Sequence, residues 1–211
     1  MSNNKLYTLL CDSTAEITEK KSRFIAIAMR VESEADALNA VERYRKQNRD
    51  ARHVCFAYSI DGRRTVRASD DGEPSGTAGV PILDLIKKRD LDNVLVLVIR
   101  YFGGILLGAP GLVRAYSGAA KAALDKALLA EYCVATSLRC GCSYSEFEKL
   151  KVLLEKNEAY DVNVDFAESV TVNFKCESDH AQHLCGKITE CFAGRISAEV
   201  VSEIAELRKK K

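Results

Sequence analysis

The sequence contains no apolar run that approaches the ~18 residues a membrane-spanning helix needs. Residues 1–7 also lack the apolar core of a secretory signal peptide. A hydrophobic content of 47% over 211 residues is enough for an ample core. We therefore expect a cytoplasmic, globular protein with no membrane partner.

A strong excess of charge of either sign is also missing. The chain has 31 Lys and Arg against 30 Asp and Glu, a formal net charge of +1. This balance argues against tight non-specific binding to nucleic acid, which depends on many phosphate contacts, and it implies no DNA sequence specificity. Residues 1–135 hold 20 basic and 17 acidic residues, whereas residues 136–211 hold 11 and 13. A surface for a polyanion is therefore expected on the first part.

The signatures of common enzymes are absent. The sequence has no Walker loop, no G-x-S-x-G elbow and no H-E-x-x-H helix. His53, Asp70, Asp71, Glu73 and Ser75 are residue types that perform acid–base or nucleophilic chemistry, but they form no recognisable catalytic motif. We favour a non-enzymatic protein with no catalytic residue and no cofactor, and we keep an enzyme as the alternative.

Eight cysteines do not indicate a disulfide scaffold, because the chain is long and rich in apolar residues. Cys140 and Cys142 form a C-x-C on an expected strand, without the C-x-x-C partner of a zinc site. His180, His183 and Cys185 lie close on an expected helix, but Cys185 points aside from both histidines. We expect reduced structural thiols and no metal.

Strand and helix patterns alternate in the first part of the chain. The aliphatic run Val94–Ile99 is typical of a strand buried on both faces, and Pro110 then suits the start of a helix that continues to about Leu129. The other expected elements are strands at 6–11, 24–31 and 53–60, a charged connection over 16–23, and helices over 33–49 and 81–88.

The remaining residues consist of two similar halves. The expected elements are a strand at 137–143, a helix capped by Ser145 and Glu148, a hairpin of 162–166 and 170–174, a helix opened by Asp179 and a strand at 196–204. This β-α-β-β-α-β order is the ferredoxin-like arrangement, so the fold class is α+β. We place the domain boundary between residues 135 and 136.

Glycines and charged residues concentrate in two loops, 70–79 and 100–114. The second loop leads into a helix start, whose free N–H groups and partial positive charge favour an anion. Arg100 ends the preceding strand and Arg114 lies in the first helical turn. The pattern predicts an anion held between these two arginines.

Two kinds of negative partner are compatible with this pattern. One is an external phosphate, cradled by the backbone of Gly103 and Gly104. The other is internal, a carboxylate of loop 70–79 that pairs with an arginine without any ligand, and we favour it slightly. The candidate ligand- or nucleic-acid-binding residues are Arg100, Tyr101, Gly103, Gly104, Arg114, Asp70, Asp71, Glu73, Ser75, His53, Arg63 and Arg64.

Five segments resemble the signature regions of the YigZ/IMPACT family. They are Ser22–Phe24, Arg52–Tyr58, Asp70–Gly79, Arg100–Gly108 and Gly111–Tyr116. Pro110 departs from the pattern, because it stands where a glycine is expected.

The resemblance implies a fold for each part of the chain. Residues 1–135 are expected to form an IMPACT N-terminal domain like the second domain of ribosomal protein S5. Residues 136–211 are expected to form a ferredoxin-like domain similar to the last domain of elongation factor G. Eukaryotic relatives regulate translation through an extra N-terminal domain that contacts a kinase activator. Since the first shared motif begins near Ser22, we do not expect that role here.

These observations lead to one functional hypothesis and two alternatives. We expect an RNA- or ribosome-associated, translation-related protein that binds an anion or phosphate at the Gly/Arg loop. The first alternative is an enzyme that acts on a phosphorylated small molecule through the Asp/Glu loop. The second is a protein-interaction module that binds a partner through the C-terminal domain.

Overall fold

Two β-sheets organise the chain, and the computed structural model describes residues 6–209. The strands are β1 Thr8–Leu9, β2 Ser13–Glu19, β3 Ser22–Arg30, β4 His53–Ile60, β5 Thr65–Ser69, β6 Val94–Tyr101, β7 Leu129–Cys142, β8 Tyr160–Phe166, β9 Val170–Glu177 and β10 Glu199–Lys209. The helices are α1 Glu34–Gln47, α2 Gly79–Lys88, α3 Ala109–Lys126, α4 Tyr144–Lys156 and α5 Ser178–Cys191. These elements make a mixed α+β protein.

The first sheet has the order β2-β3-β6-β4-β5, with every neighbouring pair antiparallel. Strand β6 lies at its centre, and residues 94–100 of this strand are all buried. Burial on both faces explains why its sequence is continuously aliphatic rather than alternating.

Helices cover both faces of this sheet. Helix α1 packs with one set of alternate strand residues, among them Ile27 and Leu97. Helices α2 and α3 pack with the other set, among them Ala26 and Val98. The alternation of side chains along a strand therefore divides the first unit into two cores.

The charged connection expected over residues 16–23 is wrong, because β2 covers residues 16–19 and β3 begins at Ser22. Ala15 is buried and Ile17 partly buried, whereas Glu16 and Thr18 are exposed. This period of two is that of an edge strand with one buried face. The charges in the segment belong to its outer face and to the turn into β3.

The second sheet contains β10, β7, β9 and β8 in that order across the sheet, and β1 pairs with the first residues of β7. Helices α4 and α5 pack against one face of it, around a core that includes Leu150, Phe174 and Ile188. The connectivity from β7 to β10 is β-α-β-β-α-β.

Two expectations in this part need correction. Strand β7 begins at Leu129, eight residues before the expected position, and shortens the preceding helix to Lys126. Helix α4 is capped by Ser143 with Glu146, not by Ser145 with Glu148. Both pairs satisfy the capping-box spacing, and the earlier pair is used because β7 ends at Cys142.

Contacts divide the chain into two units. Within the described residues, one unit comprises 6–131 together with 208 and 209, and the other is Tyr132–Leu207. The boundary placed at 135/136 stays a prediction. None of the helices formed by residues 6–209 combines the length and apolar character that crossing a membrane requires.

Candidate functional site

The sheet separates the predicted site residues into two groups. His53 and Arg100 are directly opposite each other on β4 and β6, at the end of the sheet where loop 70–79 lies. Arg63 and Arg64 lie in the turn at the other end of β4. Arg63 pairs with Asp90 at 2.9 Å. Arg63 and Arg64 therefore lie apart from His53 and Arg100.

Arg100 forms a buried ion pair with Glu73. Its Nη1 donates to Glu73 Oε1 at 2.5 Å, and each side chain is about 5% exposed or less. The hydroxyl of Tyr116, on α3, donates to the same carboxylate oxygen at 2.8 Å. Of the two partners open to Arg100, the internal carboxylate is the one observed.

Aromatic rings enclose the rest of the Arg100 guanidinium. It lies 5.4 Å from the ring centroid of Phe24 and 5.5 Å from that of Phe102. Its Nη2 is 3.5 Å from the hydroxyl of Ser22. Its Nε is buried without a hydrogen-bond partner in the part of the chain that the structure describes. A charge with few hydrogen bonds and little water depends strongly on its one carboxylate.

His53 presents one ring nitrogen to this pair. Its Nδ1 lies 2.7 Å from the carbonyl oxygen of Asp71. A carbonyl oxygen only accepts, so Nδ1 is the donor of this hydrogen bond. The other ring nitrogen, Nε2, lies 3.8 Å from Glu73 Oε1.

Asp70 organises the loop rather than a ligand site. Its Oδ1 accepts from the backbone N–H groups of Ala78 and Gly79, and its Oδ2 accepts from that of Gly76. Burial raises the pKa of Asp70, but these three hydrogen bonds outweigh burial and hold the pKa below its ordinary value. The carboxylate therefore satisfies the N-terminal amides of α2, which have no other side-chain cap.

Asp71 is also engaged. It accepts from Arg45 Nη2 at 2.5 Å and from the backbone N–H of Val54 at 2.6 Å. Its φ of 45° places it in the left-handed region, where such local hydrogen bonds compensate for strain. Asp70 and Asp71 therefore both hold the loop in place, and the enzyme alternative that relied on the Asp/Glu loop stays a prediction.

Burial raises the pKa of two further groups beside Glu73. Desolvation raises the pKa of the Cys55 thiol well above its ordinary range. It raises the pKa of the Tyr116 phenol as well, and the nearby thiol and carboxylate add to the shift. Both groups therefore stay neutral, so the Tyr116 hydroxyl remains a hydrogen-bond donor to Glu73.

Gly103 is needed for packing. A Cβ at this position would lie 2.1 Å from the backbone carbonyl of Lys21. Its N–H donates to the Ser22 hydroxyl at 3.2 Å, so the expectation that this amide cradles a phosphate is wrong. Gly104 has a φ of 82° with open space around its Cβ position, so its requirement is conformational.

Two other predicted residues lie apart from the buried pair. Tyr101 follows Arg100 on β6, so it points to the opposite face of the sheet, where its hydroxyl donates to Asn48 at 2.7 Å. Ser75 is exposed in the turn after Pro74. Neither joins Arg100 and His53.

Arg100 and Arg114 do not face one common anion position. Arg114 is exposed in the first turns of α3 and lines a cleft of about 340 Å³ with Lys20 and Glu19. Arg100 lines a different cleft of about 300 Å³. The side chain of Leu107 contributes to both clefts, and so it separates them.

The cleft beside Arg100 combines a polar and an apolar wall. Loop residues 102–108 and the start of α3 supply Phe102, Leu106 and Leu112. His53 and the exposed Arg52, whose guanidinium lies 5.3 Å from the Phe102 ring centroid, supply the polar side. Leu106 is 82% exposed, so this apolar wall is open to water.

Sequence reasoning missed Arg52, Lys20, Phe102 and Tyr116 as site residues. Arg52 directly precedes the site strand β4, and Lys20 lies two residues before the Ser22–Phe24 motif. The signal was available for all four, since Lys20 neighbours a segment already singled out and Arg52, Phe102 and Tyr116 lie inside such segments. Tyr116 was passed over because its helical spacing is equally typical of a core residue.

Comparisons with known proteins match both parts of the chain. Residues 20–124 match the family described as the Impact N-terminal domain, and residues 140–195 match a domain of unknown function (DUF1949). IMPACT family member YvyE of Bacillus subtilis is 35% identical over 181 residues, 85% of this chain and 83% of its own. IMPACT family member YigZ of Escherichia coli is 30% identical over 187 residues, 87% of this chain and 92% of its own.

A solved structure is similar over the same extent. It is described as the crystal structure of a hypothetical protein and has a TM-score of 0.58 and 28% identity. The alignment covers 94% of this chain and 98% of that chain.

Proposed function

Because the chain belongs to the IMPACT family, we propose that it is a translation-related protein that binds RNA or the ribosome. The binding surface is the pair of clefts on either side of loop 102–108, and the group bound is a phosphate. The translational role follows from the family resemblance. The position of the phosphate rests on the charges around the loop.

The observation that carries this proposal is a set of uncompensated cations. Arg52, Arg114 and Lys20 are exposed, and in the described part of the chain none of them forms an ion pair. Among the residues lining the two clefts, Glu19 is the one exposed carboxylate beside them. Such cations are available to a phosphate, in contrast to Arg100, whose charge Glu73 already neutralises.

The start of α3 adds to this positive surface. Its N-cap is Gly108, so no side chain accepts from the first N–H groups of the helix. These groups carry part of the helix dipole and favour a negative ligand. Gly108 and Ala109 line the Arg100 cleft, whereas Gly111 lines the Arg114 cleft.

We further infer the specific fold and location of the protein. The first unit is assigned to the fold of the second domain of ribosomal protein S5. The second is assigned to the ferredoxin-like fold, which its sheet order β10-β7-β9-β8 and its β-α-β-β-α-β connectivity support. The cytoplasm is the compartment that an RNA or ribosome partner requires.

Binding of a labelled RNA hairpin over a series of salt concentrations tests the proposed surface. We expect the double variant Arg52→Ala/Arg114→Ala to weaken binding and to lower the slope of log K against log salt by about 1–2, since each phosphate contact contributes roughly 0.7–0.9. Arg64→Ala is the matched control, because Arg64 is exposed at the other end of β4. An affinity for RNA that does not depend on salt contradicts the proposal. So does an equal loss of affinity in Arg52→Ala/Arg114→Ala and in Arg64→Ala.

A further inference from the structure

The outer edge of the second sheet is open at β8. In the order β10-β7-β9-β8, strand β8 is terminal, and among residues 6–209 no strand pairs with its outer side. Pairing with β9 is irregular between Tyr160 and Asn163 but regular from Asn163 to Phe166. Alternate backbone N–H and C=O groups of that regular stretch face outward, and such an edge is a template for another strand.

The edge also leaves apolar side chains partly uncovered. Val162, Val164 and Phe166 all face α4, the helix-covered side of the sheet. Val162 is 41% exposed and Phe166 58% exposed, whereas the neighbouring Val172 on β9 is fully buried. Helix α4 covers β9 but not the whole of β8, so apolar side chains that belong to the core reach the sheet edge and are exposed there.

An apolar cavity of about 280 Å³ lies at this place. Phe147 and Lys151 of α4 form one wall, and the β8 residues form the other. The Phe147 ring meets that of Phe166 edge to face at 5.5 Å. The Tyr144 ring stacks on the Phe166 ring at a centroid distance of 6.0 Å, and the Tyr144 hydroxyl donates to the carbonyl oxygen of Ala167. These contacts hold the aromatic wall in place around a space that a single apolar side chain would enter.

The usual protection of an edge strand is weak here. Natural edges are commonly blocked by lysine or proline, and β8 contains neither. Its charges are acidic instead. Asp165 and Glu168 are exposed and form no ion pair in the described part of the chain, and Glu155 lines the cavity. Lys151 is the one cation among the cavity-lining residues, so the surface favours a positively charged partner.

We propose that β8 binds an extended, basic peptide segment of a partner protein as an added strand. The backbone of the segment pairs with residues 163–166, and one of its apolar side chains enters the cavity that Phe147, Val162 and Phe166 line. Its Lys or Arg residues lie beside Asp165 and Glu168. This is strand addition, in which the main chain supplies affinity and alternate side chains supply specificity. The site is independent of the phosphate-binding surface proposed for the first unit.

Binding of a fluorescent peptide to the full chain tests this proposal. The probe alternates lysine with apolar residues around a central phenylalanine, and an otherwise identical peptide with glutamate in place of lysine is the charge control. We expect the basic peptide to bind, the acidic peptide not to bind, and the amides of residues 163–166 to gain protection from hydrogen exchange. Absence of binding by the basic peptide, or equal binding of both peptides, overturns the proposal.

Two valines provide a matched pair of variants. Val162→Ser removes an apolar side chain from the cavity. We expect it to lower the affinity for the basic peptide by at least about tenfold, as for a buried interface anchor. Val152→Ser changes a valine of similar exposure on α4 that does not line the cavity, so it should leave the affinity unchanged. Equal effects of the two variants overturn the assignment of the site.

A charge variant keeps the test decisive if Val162→Ser does not fold. Asp165→Lys alters an exposed side chain. We expect it to lower the affinity for the basic peptide and to allow the acidic peptide to bind. If sedimentation instead shows a dimer of the full chain that Val162→Ser dissociates, then a second copy of the chain occupies the edge and the peptide proposal is wrong. Unchanged affinity of Asp165→Lys for both peptides also contradicts it.

Discussion

The chemistry of the first unit depends most on one pair of side chains, Arg100 and Glu73. The pair is buried, and it joins loop 70–79 to the end of strand β6. A buried ion pair adds little stability when compared with apolar residues in the same place, but removing one partner leaves the other charge buried without compensation. Substitution of either residue alone should therefore destabilise the fold.

We expect Arg100→Met to destabilise the protein by about 3–5 kcal/mol, because Glu73 then retains the Tyr116 hydroxyl but no cation. Arg23→Met is the control, since Arg23 pairs with Glu16 at 2.9 Å with both side chains about half exposed. An exposed pair of this kind is worth roughly 0–1 kcal/mol. Urea unfolding of both variants measures the difference.

The double variant Arg100→Met/Glu73→Met should recover much of the loss, because no charge then remains buried. A cost for Arg100→Met no larger than that for Arg23→Met would show that water or another group compensates Glu73.

The sequence predicted which residues lie near this site better than it predicted their roles. The cross-strand pair of His53 and Arg100 follows from two motifs that proved to be neighbouring strands. The sequence did not predict that Arg100 is buried in an ion pair whereas Arg114 is exposed. Glu73 and the aromatic rings enclose one arginine, and the other extends from the surface of a helix. Burial of a charge is set by tertiary packing, which sequence spacing does not record.

At the scale of elements, loop 70–79 and the start of α2 form one hydrogen-bonded unit through Asp70. The three backbone amides that it accepts from include the first residue of the helix, Gly79. A Cβ at Gly79 would approach the backbone of Ser69 to 2.6 Å, so the loop and strand β5 are in close contact here. The carboxylate is therefore part of the local fold.

This arrangement predicts a pH dependence of stability. The folded state holds the pKa of Asp70 below its ordinary value of 3.8, so the contribution is fully present above pH ~4 and is lost as the pH falls through the lower folded value. We expect the free energy of unfolding of wild type to exceed that of Asp70→Asn near neutral pH, and the difference to narrow below pH ~4. Chemical denaturation between pH 2.5 and 7 measures it.

Asp84→Asn is the control for this series, because Asp84 is an exposed carboxylate on the same helix. It reports the effect of removing one negative charge from α2 without removing a cap. A difference between wild type and Asp70→Asn that stays constant from neutral pH to pH 3 would exclude the proposed role of the carboxylate.

Most elements could be predicted from periodicity, and the errors have identifiable causes. Strand β2 was missed because its outward positions are charged, which concealed the alternation of Ala15 and Ile17. The start of α4 was misplaced by two residues because two Ser-x-x-Glu pairs overlap, at Ser143 and at Ser145. A choice between equivalent local signals is made by where the preceding strand ends, which is a tertiary property.

At the scale of the whole molecule, the family assignment was confirmed and the general α+β class holds, whereas the two specific folds stay proposals. The five motifs all lie within residues 22–116, so the sequence was most informative for the first unit. The second unit gave a pattern of elements but no motif. Its free strand edge could not be predicted from the pattern, because sheet order is not encoded in element order.

Each unit has a hydrophobic core of its own, and these separate cores predict two thermal transitions. Ile86 in α2 and Leu150 in α4 are each fully buried, and truncation of such a residue to Ala costs about 2–5 kcal/mol. We expect Ile86→Ala to lower only the midpoint temperature of the first unit's transition. Leu150→Ala should lower only that of the second unit's transition. Differential scanning calorimetry of the full chain resolves the two effects.

Val80→Ala and Val152→Ala are the controls for this experiment, because they shorten half-exposed side chains on the same two helices, where little core is lost. They should move either transition by much less than the buried substitutions. If Ile86→Ala and Leu150→Ala both shift one common transition by similar amounts, the chain unfolds as a single cooperative unit. The proposed division into two domains would then lack thermodynamic meaning, even though each unit has a core of its own.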